Sequence, residues 1–399
     1  MRVFAHVPKR TCLRSVLLGG AVAAAAALPA AASASPGTSP VVGHVYVNDN
    51  TAHENTIGVL DRHADGSLTP NPGSPYAAGG QGSGSGLASQ GAVQVTRNGR
   101  YLLAVDAGSD QLSALSINHD GSLTLDSVVS SGGAVPDSVT VHGRLVYVAN
   151  SGAGDSNYAG FTLHHGQLTP LDGSTVTLAG NAAPSDVLFN PTGKKLVGTE
   201  AGVASIPGTS LIDSFTVGHD GLLTAAPGSP FPAQGVGPFG SEFSPASPNQ
   251  VYVSNAHNDA VAGTTGHGTI SAFNDSDNGT LSSIGASPFA DQQTAPCWVE
   301  ITHNGEFLFT VNTGSGEISR YQILPGGALS LLGSTPVSDT GGVGAVDARL
   351  SPDGRYLYVD ESRIGAVAEF AVNGGNLTEL AGSPVGLPAG AAAAGIATN

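Results

Sequence analysis

Four acidic residues, Asp186, Glu242, Glu300 and Asp347, fall in short extended stretches in which apolar and polar side chains alternate. The stretches align on an apolar register of Val93/Val95, Val139/Val141, Val187/Phe189, Val299/Ile301 and Ala348/Leu350. Between and before those positions stand Gln94, Asp137 with Ser138, Asp186, Glu242, Glu300, and Asp347 with Arg349. Successive side chains of a strand point to opposite faces, so period-two alternation gathers the polar groups away from the apolar ones. Carboxylates gathered in this way could bind a cation, orient the hydroxyls of a sugar, or act as general base toward water. Arg349 could polarise a carbonyl. Asp186, Glu242, Glu300, Asp347 and Arg349 are therefore the candidate catalytic set. Gln94, Asp137, Phe239 and Trp298 are the candidate ligand contacts, the two aromatic residues lying where their strands begin and able to stack on a sugar or aromatic ring.

Other chemistries fail on spacing. Asp61-x-His63-x-Asp65-Gly66 and Asn274-x-Ser276-x-Asn278-Gly279 imitate the opening of a calcium loop but lack the glutamate at the twelfth position. The twelve histidines scatter over turns, with no zinc spacing; His257 and His267, in a long insertion at 255–268, are the most open to a role. No Gly-x-Ser-x-Gly elbow occurs, and the glycine-rich run 79–86 reads as turn or flexible chain, not a phosphate loop. Cys297 beside Trp298 reads as a buried, inert thiol. No cofactor is expected, and a cation held by the gathered carboxylates is the one metal left open.

The elements that must position these groups repeat. Ser351-Pro352-Asp353-Gly354-Arg355-Tyr356-Leu357-Tyr358-Val359 encodes a strand end, a tight turn and a second strand, and degraded copies occur at 96–103, 190–196 and 302–309, with looser ones at 141–147 and 244–252. A second marker, Asp65-Gly66-Ser67-Leu68-Thr69, recurs at 120–124, 165–169, 220–224, 278–282, 326–330 and 374–378. That makes seven copies, spaced on the scale of a four-stranded propeller blade. Several are followed by a Gly-Ser-Pro turn, as at 73–75, 228–230 and 382–384. No stretch past the leader sustains a helical period. The chain opens on what should be a second strand, 41–47, and ends on Gly395-Ile396-Ala397-Thr398, which aligns with first strands elsewhere. The expected fold is all-β, a seven-bladed β-propeller over residues 41–399, closed by its C-terminal strand completing the first blade.

Residues 1–34 read as a signal peptide. Arg2, Lys9, Arg10 and Arg14 precede an apolar run, 16–27, too short to span a bilayer, and Ala32-Ser33-Ala34 offers a cleavage site after Ala34. Residues 35–40 form a linker, and the protein is expected outside the cell. The chain carries 14 Lys and Arg against 30 Asp and Glu, a net charge of −16. Loss of the four leader cations takes the mature chain to about −20, which repels nucleic acid and anionic membrane surfaces. With Cys12 in the leader, Cys297 is left without an intrachain partner. The expected partner is a small molecule, glycan or protein at the channel rim, with no membrane insertion and a monomeric state.

The Asp-Gly-Arg-Tyr-Leu-Tyr-Val strands, the Asn-ended second strands (Val148-Ala149-Asn150, Val253-Ser254-Asn255, Val311-Asn312) and the Gly-x-Leu-Thr hairpins together resemble the lactonase seven-bladed propellers. That group includes the 6-phosphogluconolactonases and carboxymuconate-cycloisomerase relatives. The resemblance implies lactone chemistry at the strand entrances, through a histidine, an Arg-His pair and an Asn-Glu pair. The matching places here read Pro184-Ser185-Asp186, Gly237-Pro238-Phe239-Gly240 and Asn255-Ala256-His257. These departures favour a propeller that binds a small ligand, a sugar or lactone, in its central channel. An active hydrolase or cycloisomerase on a non-phosphorylated substrate is the alternative, and a structural role in the envelope a weaker one.

Overall fold

Each repeated turn closes because its glycine supplies a backbone angle that a side chain resists. Gly66, Gly121, Gly221 and Gly279 take φ of 86°, 81°, 84° and 84°. The hairpins they close stack into blades in the computed structural model, which describes residues 39–337, 344–387 and 393–399. The proposed leader and all but the end of the linker lie outside these residues.

Seven antiparallel sheets form the wheel. Their inner strands are Ile396–Thr398, Val93–Val95, Pro136–His142, Pro184–Phe189, Pro238–Phe243, Pro296–Ile301 and Ala345–Leu350 for blades one to seven. Blade one closes the ring as the sequence implied: Val45, Tyr46 and Val47 pair with Thr398, Ala397 and Ile396. Arg62 ties the seam, donating from Nη2 to the carbonyl oxygens of Val42 and Asn399 at 3.2 and 3.0 Å.

The core lies between blades. Seven apolar clusters fill the seven blade interfaces, for example Leu103, Val105, Val146 and Val148 between blades two and three. The second tyrosine of the repeat bolts neighbours together across them. Tyr358, Tyr147 and Tyr252 donate their hydroxyls to Gly66, Gly221 and Gly327 of the next blade at 3.0, 2.9 and 3.0 Å. The serines of the outer turns also gain a purpose. In five blades the fourth strand breaks off early, and Ser74, Ser174, Ser229, Ser287 or Ser383 accepts the third-strand N–H that the break leaves open, at 2.7–3.0 Å.

One departure from an all-strand chain occurs in the fifth-blade insertion. Asn258–Ala262 makes a single helical turn ended by Gly263 at φ 70°. Five residues are too few to write a period into the sequence. Among the described residues no helix is long and apolar enough to cross a membrane.

Candidate functional site

Inner strands bring one face of their alternation to the axis, and the chain leading into blade two crosses that axis. Ser89 and Gln90 are 1% and 2% exposed. Ser89 Oγ donates to the Asp137 carbonyl (2.7 Å) and the Gln90 N–H to the Ser185 carbonyl (2.9 Å). The Gln90 amide donates to the Ser241 carbonyl (2.8 Å) and accepts the Val299 N–H (2.9 Å). Trp298 Nε1 donates to the Ser89 carbonyl at 2.8 Å, and the Gly91 N–H approaches Asp347 Oδ2 at 3.4 Å. Three residues thus touch blades three to seven, which is possible only on the axis. Gly240 makes the room: a Cβ there would sit 2.1 Å from Gln90 Oε1 and 2.6 Å from the Cys297 carbonyl.

Beyond this crossing lie the axial charges. Asp186 accepts Ser241 N–H and Oγ–H at 2.9 and 2.6 Å and Ser138 Oγ–H at 3.3 Å. Burial still pushes its carboxyl up to about 7. Asp347 is raised to about 6 by burial, opposed by Arg349. Arg349 Nη1 donates to Glu300 Oε2 at 3.0 Å and lies 3.7 Å from Glu242 Oε2. Glu300 also accepts the Leu350 N–H at 3.0 Å. Burial and then the neighbouring Glu300 push Glu242 up to about 8. The Arg349 and Glu242 side chains are each 20% exposed, so water reaches this end of the channel.

The candidate catalytic five are therefore neighbours around the axis. The candidate ligand contacts do not converge on one site, although Phe239 and Trp298 meet each other. Gln94 is half-buried against Gly91. Asp137 is fully buried with Oδ1 unpartnered, and burial holds its carboxyl well above the ordinary range. Phe239 and Trp298 are buried at the strand entrances and pack edge to face, with ring centroids 5.4 Å apart. Among the described residues no three His, Cys, Asp or Glu are placed to hold a metal ion.

Phe239 and Trp298 line a cavity of about 380 Å³ on the entrance face, with Ala88, Ala256, His257, Cys297 and Val346 among its other walls. No axial carboxylate lines it. His257 is half-buried, its ring makes no hydrogen bond among the described residues, and burial lowers its pKa, keeping the imidazole neutral. Gly237, at φ 67°, leaves room for that ring, since a Cβ there would come within 2.4 Å of it. Burial pushes the Cys297 thiol up to about 12, which makes it a poor nucleophile. A larger recess of about 750 Å³ lies at the seam of blades one and two, where Asn71 already donates to Asp61 at 2.6 Å and His44 stands 3.6 Å from the same carboxylate.

The family profile described as lactonase, 7-bladed β-propeller, matches residues 50–202 and 244–344, well over half of the chain. The chain belongs to that lactonase family. No functionally curated protein matches it significantly. Solved structures similar to this lactonase-family chain include candidate 6-phosphogluconolactonases of Bacteroides uniformis and Bacteroides fragilis. The first is 19% identical at TM-score 0.69, covering 90% of this chain and 99% of the other. The second is 18% identical at 0.70, covering 92% and 100%. The periplasmic gluconolactonase PpgL of Pseudomonas aeruginosa is 19% identical at 0.68, covering 89% and 98%. At such identities the likeness is one of fold.

The crossing segment escaped the sequence reading. Ser89 and Gln90 follow a glycine- and serine-rich run without period, and nothing local marks a residue whose partners lie about 50 to 210 positions away.

Proposed function

We propose that this protein is an exported, ligand-binding member of the lactonase propellers, with its site in the entrance-face cavity. The observation that carries the reading is the lining of that cavity. It occupies the strand entrances to which the family resemblance assigns lactone chemistry, yet Phe239 and Gly240 stand where an Arg-His pair is expected and Ala256 where a glutamate is. Ser185 stands in place of the expected histidine. Without a charged group to polarise a lactone carbonyl, and with Ser89-Gln90 across the axis, the cavity is suited to holding a neutral molecule. Export rests on the basic and apolar leader ending at Ala34.

Lactone hydrolysis is the second reading. It is favoured by Glu242, a water-accessible carboxyl whose pKa of about 8 lies near neutrality, beside Arg349. The Pseudomonas aeruginosa neighbour, a periplasmic gluconolactonase, points the same way.

One experiment separates the two. Protein recovered from the culture medium, expected to begin at Ser35, is assayed on neutral lactones beside Glu242→Gln and Val346→Trp, the latter filling the cavity. The binding reading expects no turnover by any of the three, and ligand-induced thermal stabilisation that Val346→Trp abolishes. Turnover lost in Glu242→Gln and kept in Val346→Trp overturns it in favour of hydrolysis from the axial end.

A further inference from the structure

The entrance cavity is narrow in what it can accept. Its 380 Å³ lies toward the small end of ligand sites, which run from roughly 300 to 1,000 Å³. Phe239 and Trp298 present one edge-to-face aromatic wall, and Ala256 and Val346 add aliphatic surface. Few polar groups are open to a guest. Thr313 Oγ already donates to the Ala345 carbonyl at 3.0 Å, and Cys297 Sγ is engaged with the Ala295 carbonyl at 3.3 Å. The imidazole of His257 makes no hydrogen bond among the described residues and is the side chain there with a donor to offer.

We propose that the cavity takes a neutral, flat ring compound carrying a single carbonyl, stacked on Trp298 and hydrogen-bonded by His257, and rejects polyhydroxylated sugar lactones. The inference rests on the reading of this cavity as the binding site and names its ligand class. Aromatic surface stacks on flat apolar rings. A sugar lactone of the same size would bring several hydroxyls against a mostly apolar lining, and each buried hydroxyl without a partner costs affinity. A neutral imidazole carries one N–H and can donate it to a carbonyl oxygen.

Trp298 is the only tryptophan of the chain, so the uniformly labelled protein shows a single tryptophan indole N–H resonance from within the cavity wall. The full chain after leader removal is titrated with dihydrocoumarin and with glucono-δ-lactone, two neutral lactones of similar size. Dihydrocoumarin is expected to move the resonance and glucono-δ-lactone to leave it unmoved. Val346→Trp should abolish dihydrocoumarin binding measured by calorimetry. His257→Leu, which keeps the apolar volume, should weaken dihydrocoumarin about tenfold, one hydrogen bond's worth. The same variant should bind tetralin, which lacks the carbonyl, as well as the parent does. Glucono-δ-lactone moving the resonance at equal or lower concentration overturns the ligand class while leaving the site reading intact. Neither compound moving it, or dihydrocoumarin binding unchanged in Val346→Trp, overturns both.

Discussion

Gln90 satisfies two backbone groups on facing strands with one amide, the Ser241 carbonyl and the Val299 N–H. Gln90→Leu keeps much of the volume and strands both. A buried group left without its partner costs about 1–3 kcal/mol, so with two such groups the variant should lose about 2–6 kcal/mol of unfolding free energy. Urea titration checks this, with an unchanged slope showing that the native fold is retained. The axial carboxylates were legible because alternation is a local property: Asp186, Glu242, Glu300, Asp347 and Arg349 each show it within their own strand. What alternation does not reveal is which of them meet. Arg349 pairs with Glu300 and stands further from Glu242, a distinction set by where two blades place their backbones. Asp137 departs from the pattern. It neighbours Ser138, and only one of two consecutive strand residues can face the axis; the Ser138 hydroxyl reaches Asp186.

At the scale of strands and turns, the repeat motif is a set of bolts. The Tyr358 ring fills the seam between blades seven and one, and its hydroxyl donates to the Gly66 carbonyl. Tyr358→Phe removes the bond and leaves the packing, so a loss of about 1 kcal/mol is expected by denaturant titration. A loss of 3 kcal/mol or more would mean that the ring itself had shifted. The Gly-Ser turns were visible as a repeated sequence, but their work was not. Each serine completes a ladder bond on a strand some 15 residues upstream, as Ser74 does for Val59. The helical turn at Asn258–Ala262 belongs with the features a pattern cannot announce, for it is shorter than one period of evidence.

Over the whole molecule, buried acids set the response to pH. Burial raises Asp49 and Asp186 to about 7, Asp106 and Asp347 to about 6 and Glu369 to about 7. Glu200 and Asp213, adjacent and buried, hold protons above the ordinary carboxyl range for the same reason. Such groups bind protons more tightly folded than unfolded, where they titrate near 4. Their contribution to stability is therefore full at and below the unfolded value and is lost as pH rises through the folded values, from about 6 for Asp106 and Asp347 to about 8 for Glu242. Asp353 works in the opposite direction. Burial raises it, but the hydrogen bonds from Ser351 and Arg355 together outweigh that and lower it to about 2, so its contribution fades only below pH 4. The melting temperature should accordingly be higher at pH 5 than at pH 8. A melting temperature that rises from pH 5 to pH 8 would show that these carboxyls are ionised in the native state.

Turn glycines, strand alternation and a marker written seven times are local or periodic, and they determined the wheel, its blade count and its closure by Ile396–Thr398 without reference to coordinates. The charge balance was equally open to reading. Only the tertiary structure decided what the wheel encloses. Ser89-Gln90 crosses the axis, Phe239 and Trp298 pack against each other, and the entrance cavity lies beside the carboxylates, not among them. Those outcomes depend on contacts between residues far apart in the chain, where small shifts of a blade open or close a cavity, and no repeat encodes such a distance.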